Sequence, residues 1–409
     1  MKILNFGSCN IDYVYSMDHI VTVGETATSH QMEVFPGGKG LNQSIAAAKA
    51  GAEVFHAGCV GSDGGILTDI LKKSGVNTSY LKQVDAKNGH AIIQVSKDGE
   101  NSIFLHPGSN VMITKEYADS VLGDFAEGDI LMLQNEINDV DYLVNKAYSM
   151  GMKILLNPSP YNEAVEKIDF QKLSYIILNE VEARDISGQS DPEEALEFFR
   201  ARYPELCVIL TLGKKGAVLA HKDKRVRQSA YLVNAVDTTA AGDTFTGYFA
   251  AGLAASESHR EILKLASAAA AISVSRKGAA PSIPHKSEVL SALNEMTPSK
   301  PQSDGELFLE RLERYIENNL KTANIKDFAS LVGYSTVHTG NLIKRVSGKT
   351  FSKLLQEKRC KTAASLLSST SLSVSEIISR VGYENESFFR AKFKEKYNEN
   401  PLEYRKKRG

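Results

Sequence analysis

Short apolar runs and stretches of helical periodicity alternate along the first 300 residues, a pattern typical of a sheet flanked by helices. Residues 2–7 have the pattern of a buried strand, and residues 44–51 form a small-residue helix that ends in a glycine. Residues 91–105 alternate apolar and polar positions around Asp98 and Gly99, which predicts a hairpin. This hairpin is either a lid over a binding site or a plain edge hairpin.

A different pattern begins near residue 306. An amphipathic helix over 306–319 is followed by two copies of a short helix, a glycine turn and a second helix. The two turn glycines, Gly333 and Gly382, are 49 residues apart. A long helix around 351–367 joins the copies. The pattern predicts two helix-turn-helix motifs that could enter successive major grooves about one DNA turn apart.

The charge of the chain changes at the same place. The net charge of the 409 residues is −1, yet residues 301–409 hold 20 Lys and Arg against 13 Asp and Glu, a net charge of +7, and the preceding residues carry −8. The length predicts two domains, and the run around Pro301 is typical of a linker. We therefore expect an acidic α/β domain over 1–295, a linker over 296–305 and a basic, nucleic-acid-binding domain over 306–409.

Composition excludes several classes of protein. Apolar residues make up 42% and charged residues 24%, as in folded globular chains and unlike disordered or collagen-like ones. No stretch approaches the roughly 18 to 20 apolar residues of a membrane span, and no signal-type core precedes Asp12, so we expect a soluble cytoplasmic protein with no membrane partner. The cysteines are far apart and predict buried, reduced thiols rather than a zinc site. They are Cys9, Cys59, Cys207 and Cys360.

Two polar segments of the first domain are candidates for ligand binding. Asn10 and Asp12 follow the first strand, at the edge where open α/β sheets bind ligands, and suit a ring of sugar hydroxyls, although an Asx turn is an alternative. Glycines at 37, 38 and 40 let backbone N–H groups approach an oxygen-rich ligand, with Lys39 and Asn42 on the same rim. This segment is not a P-loop, because no Ser or Thr follows Lys39.

The strongest candidate chemistry lies in residues 236–247, where a strand end runs through small residues into a helix that begins around Gly242. The backbone N–H groups of Ala240, Ala241, Gly242 and Asp243 could neutralise charge on a transferring phosphoryl group. Asp243 could then accept the proton of an attacking hydroxyl. The alternative is that Asp243 only caps the helix.

Together, Gly37-Gly38-Lys39-Gly40 and Ala240-Ala241-Gly242-Asp243 resemble the two signatures of the ribokinase-like, or PfkB, carbohydrate kinases. Residues 58–63, 155–160, 179–182 and 211–216 agree with the family in order and spacing, and the resemblance spans about residues 1–295. It implies an α/β three-layer sandwich with a small β lid, and a phosphotransferase that uses ATP, Mg²⁺ and K⁺.

The resemblance also implies roles for individual residues. For the sugar substrate these are Asn10, Asp12, Gly38, Lys39, Asn42 and Glu136, with Asp243 as the catalytic base. For ATP they are Asn179, Thr211, Gly213, Gly216, Gly242 and Ser267, with Glu182 near the magnesium-bound phosphates. For the monovalent cation they are Asp237, Thr239, Ser273, Arg276, Gly278 and Ser282.

Two residues depart from the ribokinase branch. Leu178 stands where proline is usual, and Ser267 where a larger polar residue is common. Because of these departures, the sequence does not assign the residues that contact the nucleotide base. The departures also leave ribose, another pentose, a nucleoside and a keto sugar as possible substrates.

The second domain resembles the AraC-type DNA-binding domain from about Phe308 to Arg405, including its closing segment 400–405. The resemblance implies a double-stranded DNA operator as partner. Thr339 and Gly340 depart from the family, and Gly340 weakens its helix by roughly 1 kcal/mol, so fraying of the first reading helix is expected. We expect base contacts from His338, Asn341, Ser387 and Arg390, and phosphate contacts from Lys344, Arg345, Lys392 and Lys394.

These inferences predict a sugar kinase, most simply a ribokinase that forms D-ribose 5-phosphate, fused to a transcription regulator. The alternative is a regulator whose kinase fold only senses a sugar. We expect a homodimer, in which lid closure or pairing of lid hairpins changes the spacing of two DNA-binding domains.

Overall fold

The computed structural model describes residues 1–299, 304–370, 372–383 and 385–408. The chain divides into two compact units, Met1–Lys300 and Pro301–Gly409. Part of the predicted linker, residues 300–303, lies outside the described residues.

The segment just before this gap belongs to the first unit. The Leu232 N–H donates to Thr297 O at 2.9 Å, and the Ser299 N–H donates to Ala230 O at 2.7 Å. Tyr231 and Pro298 form an isolated antiparallel bridge. The first unit therefore extends beyond the expected boundary at residue 295, and residues 297–299 are packed rather than linking.

The first unit is built on two sheets with helices around the larger one. Its strands, numbered in chain order, are β1 (Ile3–Phe6), β2 (Asn10–Met17), β3 (Gln31–Gly37), β4 (Val54–Val60), β5 (Asn77–Gln83), β6 (Gly89–Ser96), β7 (Asn101–His106), β8 (Ile130–Gln134), β9 (Lys153–Asn157), β10 (Tyr175–Asn179), β11 (Cys207–Thr211), β12 (Ala217–His221) and β13 (Lys224–Gln228). Its helices are α1 (Lys39–Lys49), α2 (Gly65–Lys73), α3 (Lys115–Leu122), α4 (Val140–Ser149), α5 (Glu180–Ser187), α6 (Pro192–Arg202), α7 (Ala241–Ala254), α8 (His259–Val274) and α9 (Lys286–Ala292).

The larger sheet has nine strands within the described residues, in the order β13-β12-β11-β10-β9-β8-β1-β4-β5. All neighbouring strands from β11 to β5 are parallel, and β12 and β13 add an antiparallel edge. Because successive side chains of a strand face opposite sides, Ile3 joins one core with α1, α7 and α8, whereas Leu4 and Phe6 join a second core with α3, α4 and α6. This confirms the predicted three-layer α/β fold.

The smaller sheet confirms the predicted hairpin and joins it to β2 and β3; it corresponds to the small β lid that the family resemblance implies. Its order is β3-β2-β6-β7, and β6 and β7 pair antiparallel around Gly99, whose φ of +80° suits a tight turn. β2 carries Asn10 and Asp12, and it pairs with β3 and β6 rather than extending the larger sheet. These two residues therefore lie on a lid strand and not in a loop beyond β1.

Close contacts between glycines and neighbouring elements bring α1 to β1 and to α7. A Cβ at Gly40 would lie 2.4 Å from Ser8 N, and a Cβ at Gly247 would lie 2.5 Å from Gln43 O. Both distances are shorter than real Cβ contacts, so only glycine fits. As a result, Asn42 and Gln43 of α1 reach the start of α7.

The second unit is helical and duplicated, as predicted. Its helices are α10 (Asp304–Asn318), α11 (Ile325–Leu331), α12 (Thr336–Ser347), α13 (Phe351–Ser369), α14 (Val374–Arg380), α15 (Glu386–Tyr397) and α16 (Pro401–Arg408). α11 and α12 form the first helix-turn-helix and α14 and α15 the second, with the long α13 between them. Each half has its own buried cluster, one around Phe328 and Ile343 and one around Phe389 and Phe393.

Two further expectations concern the whole chain. All four cysteines lie within the described residues, and each is buried and unpaired, as predicted. Among the described helices, none combines the length and the apolar character needed to cross a lipid bilayer.

Candidate active site and nucleic-acid interface

Asp243 is held by side chains of α1 at the first turn of α7. Its Oδ2 accepts a hydrogen bond from Asn42 Nδ2 and its Oδ1 one from Gln43 Nε2, both at 3.0 Å, and the residue is 7% exposed. The helix cap is Ala240, which has a left-handed φ of 61°. The alternative role of Asp243 as a cap is therefore wrong, because its carboxylate is fixed by two amides from another helix.

The start of α7 offers backbone N–H groups to an anion. The N–H of Ala241 donates to Thr238 O at 3.3 Å, so this group is engaged. The N–H groups of Ala240, Gly242 and Asp243 have no backbone acceptor among the described residues. A Cβ at Gly242 would meet nothing within 4 Å, so the helix start faces open space that a phosphate oxygen can enter.

Gln43 is a site residue that the sequence analysis missed. Its Oε1 accepts from Gln134 Nε2 at 2.7 Å, which fixes the amide so that its Nε2 faces Asp243. Gln134 Nε2 also donates to Asn5 Oδ1 at 3.0 Å, and Asn5 Nδ2 donates to Ser44 Oγ at 2.7 Å. All of these residues are buried, so the network is shielded from water. The available signal was Asn5 itself, a polar residue inside an otherwise apolar strand.

Glu136 and Lys39 are partly buried, oppositely charged residues near Asp243. Glu136 Oε2 accepts from Ser8 Oγ at 2.5 Å and from the Lys39 N–H at 3.1 Å. Burial raises the pKa of Glu136, although Lys39 and the Ser8 hydroxyl oppose the rise. Burial alone would lower the pKa of Lys39, but the carboxylates of Asp243, Glu136 and Glu182 raise it, so the lysine stays charged.

The lid strand contributes Asn10 and Asp12 to the same end of the site. Asn10 Oδ1 accepts from Asn110 Nδ2 at 2.7 Å, which leaves the Asn10 amide nitrogen for a ligand oxygen. Asn110, a second residue that the sequence analysis missed, also accepts from the Cys9 N–H at 2.9 Å. A Cβ at Gly37 would lie 2.0 Å from Asp12 Oδ2, so a glycine there leaves room for the carboxylate.

Asn42 has an acceptor to spare. Its Nδ2 is used by Asp243, while its Oδ1 is buried with no hydrogen-bond partner among the described residues. A buried acceptor without a partner is costly, and a ligand hydroxyl would satisfy it. Asn42 therefore offers a ligand an acceptor beside Asp243.

A cleft of about 240 Å³ extends from Lys39 and Asp243 toward the predicted nucleotide residues. Asn179 and Glu182 form a capping box at the start of α5, in which Asn179 Oδ1 accepts from the Glu182 N–H and Glu182 Oε2 accepts from the Asn179 N–H, each at 2.9 Å. The cleft is lined by Lys39, Asn157, Ser159, Ile177, Leu178, Asn179, Glu182, Thr211, Thr238, Ala240, Gly242, Asp243 and Thr246.

The other predicted nucleotide residues lie outside this lining. Gly213 and Gly216 bound the turn between β11 and β12, where both have positive φ. A Cβ at Gly213 would meet nothing within 4 Å, whereas one at Gly216 would lie 1.9 Å from Gln228 O. Gly216 therefore serves backbone packing. Ser267 is buried in α8, with a hydroxyl that has no partner among the described residues.

The predicted cation residues come together in two hydrogen-bonded groups. Asp237 Oδ1 accepts from the Thr239 N–H and Oδ2 from the Gly278 N–H, both at 2.9 Å. Burial opposes ionisation, but these hydrogen bonds lower the pKa of Asp237 and keep it charged. Ser273 Oγ and Ser282 Oγ are 2.7 Å apart. Arg276 pairs through Nη2 with Glu288 at 2.7 Å, and because its guanidinium has no acceptor, only its backbone oxygen could bind a cation.

No group of three or more His, Cys, Asp or Glu side chains within the described ranges is arranged to hold a metal ion. The set around Asp237 is instead one carboxylate with hydroxyl and carbonyl oxygens. Such oxygen donors fit a hard monovalent cation. Among the described residues that line the cleft, Glu182 and Asp243 are the carboxylates, a set that fits a magnesium ion carried mainly by nucleotide phosphates.

The two candidate reading helices, α12 and α15, can be aligned by their capping residues. The segment between the turn glycine and the cap is one residue longer in the second helix-turn-helix. Ser335 caps α12 and Asn385 caps α15, a separation of 50 residues, although the turn glycines are 49 apart. His338 therefore corresponds to Phe388 and Asn341 to Ala391. The predicted contacts Ser387 and Arg390 correspond instead to Val337 and Gly340.

The predicted DNA contacts differ in their exposure to solvent. His338, Asn341, Lys344, Arg345, Ser387 and Lys394 are exposed. Arg390 occupies the helix position of Gly340, and its Nη2 donates to Glu386 at 2.6 Å. Lys392 Nζ donates to Glu395 at 2.7 Å. Arg390 and Lys392 would therefore exchange these ion pairs for any contact with DNA.

α12 is continuous through Thr339 and Gly340, and its stability gives a test. Thr339 is 0% exposed, and its hydroxyl has no partner among the described residues. A Cβ at Gly340 would sit 3.5 Å from Ile325 Cδ1, an ordinary contact. Thr339→Val should therefore stabilise α12 by about 1 kcal/mol and Gly340→Ala by about 1 kcal/mol. Hydrogen–deuterium exchange of the full chain measures both.

Gly348 supplies the control with the opposite sign. It follows α12 with a φ of +70°, so Gly348→Ala should cost roughly 1–2 kcal/mol and speed exchange in α12. Faster exchange in Thr339→Val would contradict the inference that the buried hydroxyl of Thr339 destabilises α12.

Comparison with known proteins identifies the family of each unit. Residues 1–286 match the pfkB family carbohydrate kinase model, and residues 328–407 match a helix-turn-helix domain model. The chain is 36% identical over 297 residues to the ribokinase of Haemophilus influenzae, covering 70% of this chain and 96% of that protein. It is 33% identical over 314 residues to the deoxyribokinase of Salmonella typhimurium, covering 72% and 100%.

A solved structure shows the same fold with ligands. The Arabidopsis thaliana ribokinase complexed with ribose and ATP superposes with a TM-score of 0.65 at 28% identity, over 71% of this chain and 98% of that one. The chain described here belongs to the pfkB family of carbohydrate kinases. It is a ribokinase-family sugar kinase, a phosphotransferase with an alcohol group as acceptor, joined to an AraC-type helix-turn-helix domain.

The carboxylate on the lid strand predicts a pH dependence for this kinase. Burial, with the nearby Glu136 and Asp243, raises the pKa of Asp12 to about 7. Below that pH, Asp12 is protonated in the free enzyme and loses acceptor capacity for sugar hydroxyls. Sugar kcat/KM should fall as the pH drops below about 7, with kcat less affected. In Asp12→Asn this limb should disappear while KM is high at every pH; an unchanged limb would assign it to another group.

Proposed function

We propose that the first unit is a ribokinase that transfers the γ-phosphoryl group of ATP to D-ribose and forms D-ribose 5-phosphate. The single observation that carries the proposal is the buried Asp243, held by two amides beside unengaged N–H groups at the start of α7. A carboxylate in that position accepts the proton of an attacking hydroxyl. Relatives named ribokinase support ribose as the acceptor.

The residues of this chain divide the work between binding and chemistry. Asn10, Asp12 and the free Oδ1 of Asn42 would hold the sugar hydroxyls. Lys39 would place positive charge beside the transferring group, and the N–H groups of Gly242 and Asp243 would stabilise its oxygens. Magnesium, when bound with ATP near Glu182, neutralises phosphate charge.

We propose that a potassium-type cation binds near Asp237, where it would brace the loop that leads into α7. Thr239, two residues further along that loop, donates its N–H to Asp237 Oδ1. Removal of potassium should therefore lower kcat more than the binding of sugar. Equal rates in potassium and in a bulky organic cation would argue against this site.

We propose that the second unit binds double-stranded DNA through α12 and α15. Its excess of seven positive charges and the exposed Lys344, Arg345 and Lys394 support contacts with phosphates. Each half has its own core, so both reading helices have rigid support.

We further propose a homodimer formed through the lid. β7 lies at an edge of the lid sheet with all six residues exposed, and Ile103, Phe104 and Leu105 are 53%, 56% and 48% exposed. An exposed apolar edge strand is a ready site for pairing. Phe104→Lys should give a monomer by sedimentation. DNA affinity that does not change with saturating sugar and ATP would contradict coupling between lid and DNA.

A substrate panel tests the enzymatic proposal against its alternative. ATP-dependent phosphorylation would be measured for ribose, 2-deoxyribose, other pentoses, keto sugars and nucleosides, with magnesium and with or without potassium. Turnover that is specific for ribose is expected. Tight sugar binding without turnover would instead make the first unit a sensor that serves the DNA-binding unit.

A further inference from the structure

The two reading helices present different chemistry at corresponding positions. The second, third and sixth residues of α12 are Val337, His338 and Asn341, and all are exposed. The same positions of α15 are also exposed, but they carry one hydroxyl, one phenyl ring and one methyl group: Ser387, Phe388 and Ala391. The first turns of a reading helix are the part that meets base edges.

Phe388 is exposed and held in place. It is 45% exposed, while Phe389 next to it is 0% exposed in the core. The Phe388 ring centroid lies 6.2 Å from that of Tyr383 and 5.9 Å from Lys392 Nζ, so the ring is supported on one side. Phe388 is thus a supported, exposed phenyl ring at the start of α15, on a unit with a net charge of +7.

Phenyl and methyl groups can read only one feature of the major groove. Thymine alone presents an apolar group there, its C5-methyl, whereas the other base edges offer hydrogen-bond donors and acceptors. His338 and Asn341 of α12 can make such hydrogen bonds, but Phe388 and Ala391 of α15 cannot.

We propose that α15 selects thymine through contact of Phe388 and Ala391 with C5-methyl groups, whereas α12 reads its half-site by hydrogen bonds from His338 and Asn341. This inference rests on the proposed DNA binding of the second unit. It predicts an operator with two unlike half-sites, one of which contains thymines whose methyl groups, rather than their pairing, are recognised.

The test begins with the full-length protein and a random pool of DNA duplexes. Bound sequences are expected to share thymines in one half-site. Each such thymine is then replaced by deoxyuridine, which keeps base pairing and removes only the methyl group. We expect about a fourfold loss of affinity for each recognised methyl group. In Phe388→Ala, the same replacement at the Phe388 contact should have no effect.

A matched variant distinguishes recognition of thymine from electrostatic attraction to the phosphates. Lys394 is exposed on the same helix, and Lys394→Ala should weaken binding to thymine and deoxyuridine duplexes equally. Phe388→Ala should fold normally, because its side chain is outside the core.

Each result decides a different point. Enriched sequences that bind equally well with deoxyuridine throughout would overturn the inference and leave DNA binding intact, with Phe388 free for a protein partner. No enrichment of any duplex would overturn the proposed DNA binding and the inference with it.

Discussion

Asp243→Ala is expected to lower kcat for sugar phosphorylation by roughly 10²- to 10⁴-fold, the usual contribution of a positioned general base. Two carboxylates line the cleft within the described residues, Asp243 and Glu182. Glu182 is engaged in the capping box of α5, so the variant removes the one that can accept the proton of the attacking hydroxyl. Steady-state assays with saturating ATP measure the effect.

Asp223 provides the control for this prediction. Its side chain is 98% exposed in the same unit, and Asp223→Ala should leave kcat unchanged. The ATP KM of Asp243→Ala should also change little, because the unengaged N–H groups belong to the backbone. A variant that keeps a tenth or more of the wild-type kcat would remove Asp243 from the role of base.

Phe389→Ala should abolish DNA binding and spare the kinase. Phe389 is 0% exposed at the centre of the second helix-turn-helix cluster, and loss of such a side chain costs about 3–5 kcal/mol. The kinase site rests on two other cores, both within the first unit. In Phe389→Ala, fluorescence anisotropy should therefore show loss of DNA affinity, whereas the rate of sugar phosphorylation should stay unchanged.

The neighbouring residue makes the comparison sharp. Phe388→Ala removes an equally large ring that is 45% exposed, so its effect on stability should be small. If Phe389→Ala lowered phosphorylation in parallel with DNA binding, the enzyme would depend on a folded second unit.

Local patterns in the sequence predicted the elements that local physics determines. The apolar run of β1, the hairpin around Gly99 and the start of α7 near Gly242 follow from side-chain period and glycine conformation. The duplicated helix-turn-helix followed from repetition of the same pattern. Asp243 could be singled out because residues 240–243 and 37–40 together resemble the two PfkB signatures, whereas a carboxylate in the first turn of a helix is by itself common.

The remaining features depend on contacts between distant parts of the chain. Gln134 bonds to Asn5, 129 residues away, and to Gln43, 91 residues away, and no local pattern encodes either contact. Asn10 and Asp12 lie on the lid because β2 pairs with β6, far along the chain. The caps of α12 and α15 are 50 residues apart although the turn glycines are 49 apart, and periodicity alone does not detect this extra residue.

The amide network behind Asp243 has a consequence for how acid would act on the enzyme. Asn42, Gln43, Gln134 and Asn5 carry no proton to gain or lose near neutral pH, and beyond them burial lowers the pKa of His56 to about 4. The support of Asp243, the proposed base, is therefore insulated from acidification, whereas Asp12, the predicted sugar contact, is not. A falling pH is expected to weaken sugar binding without disturbing the residues that hold Asp243. A higher sugar concentration should then restore the rate.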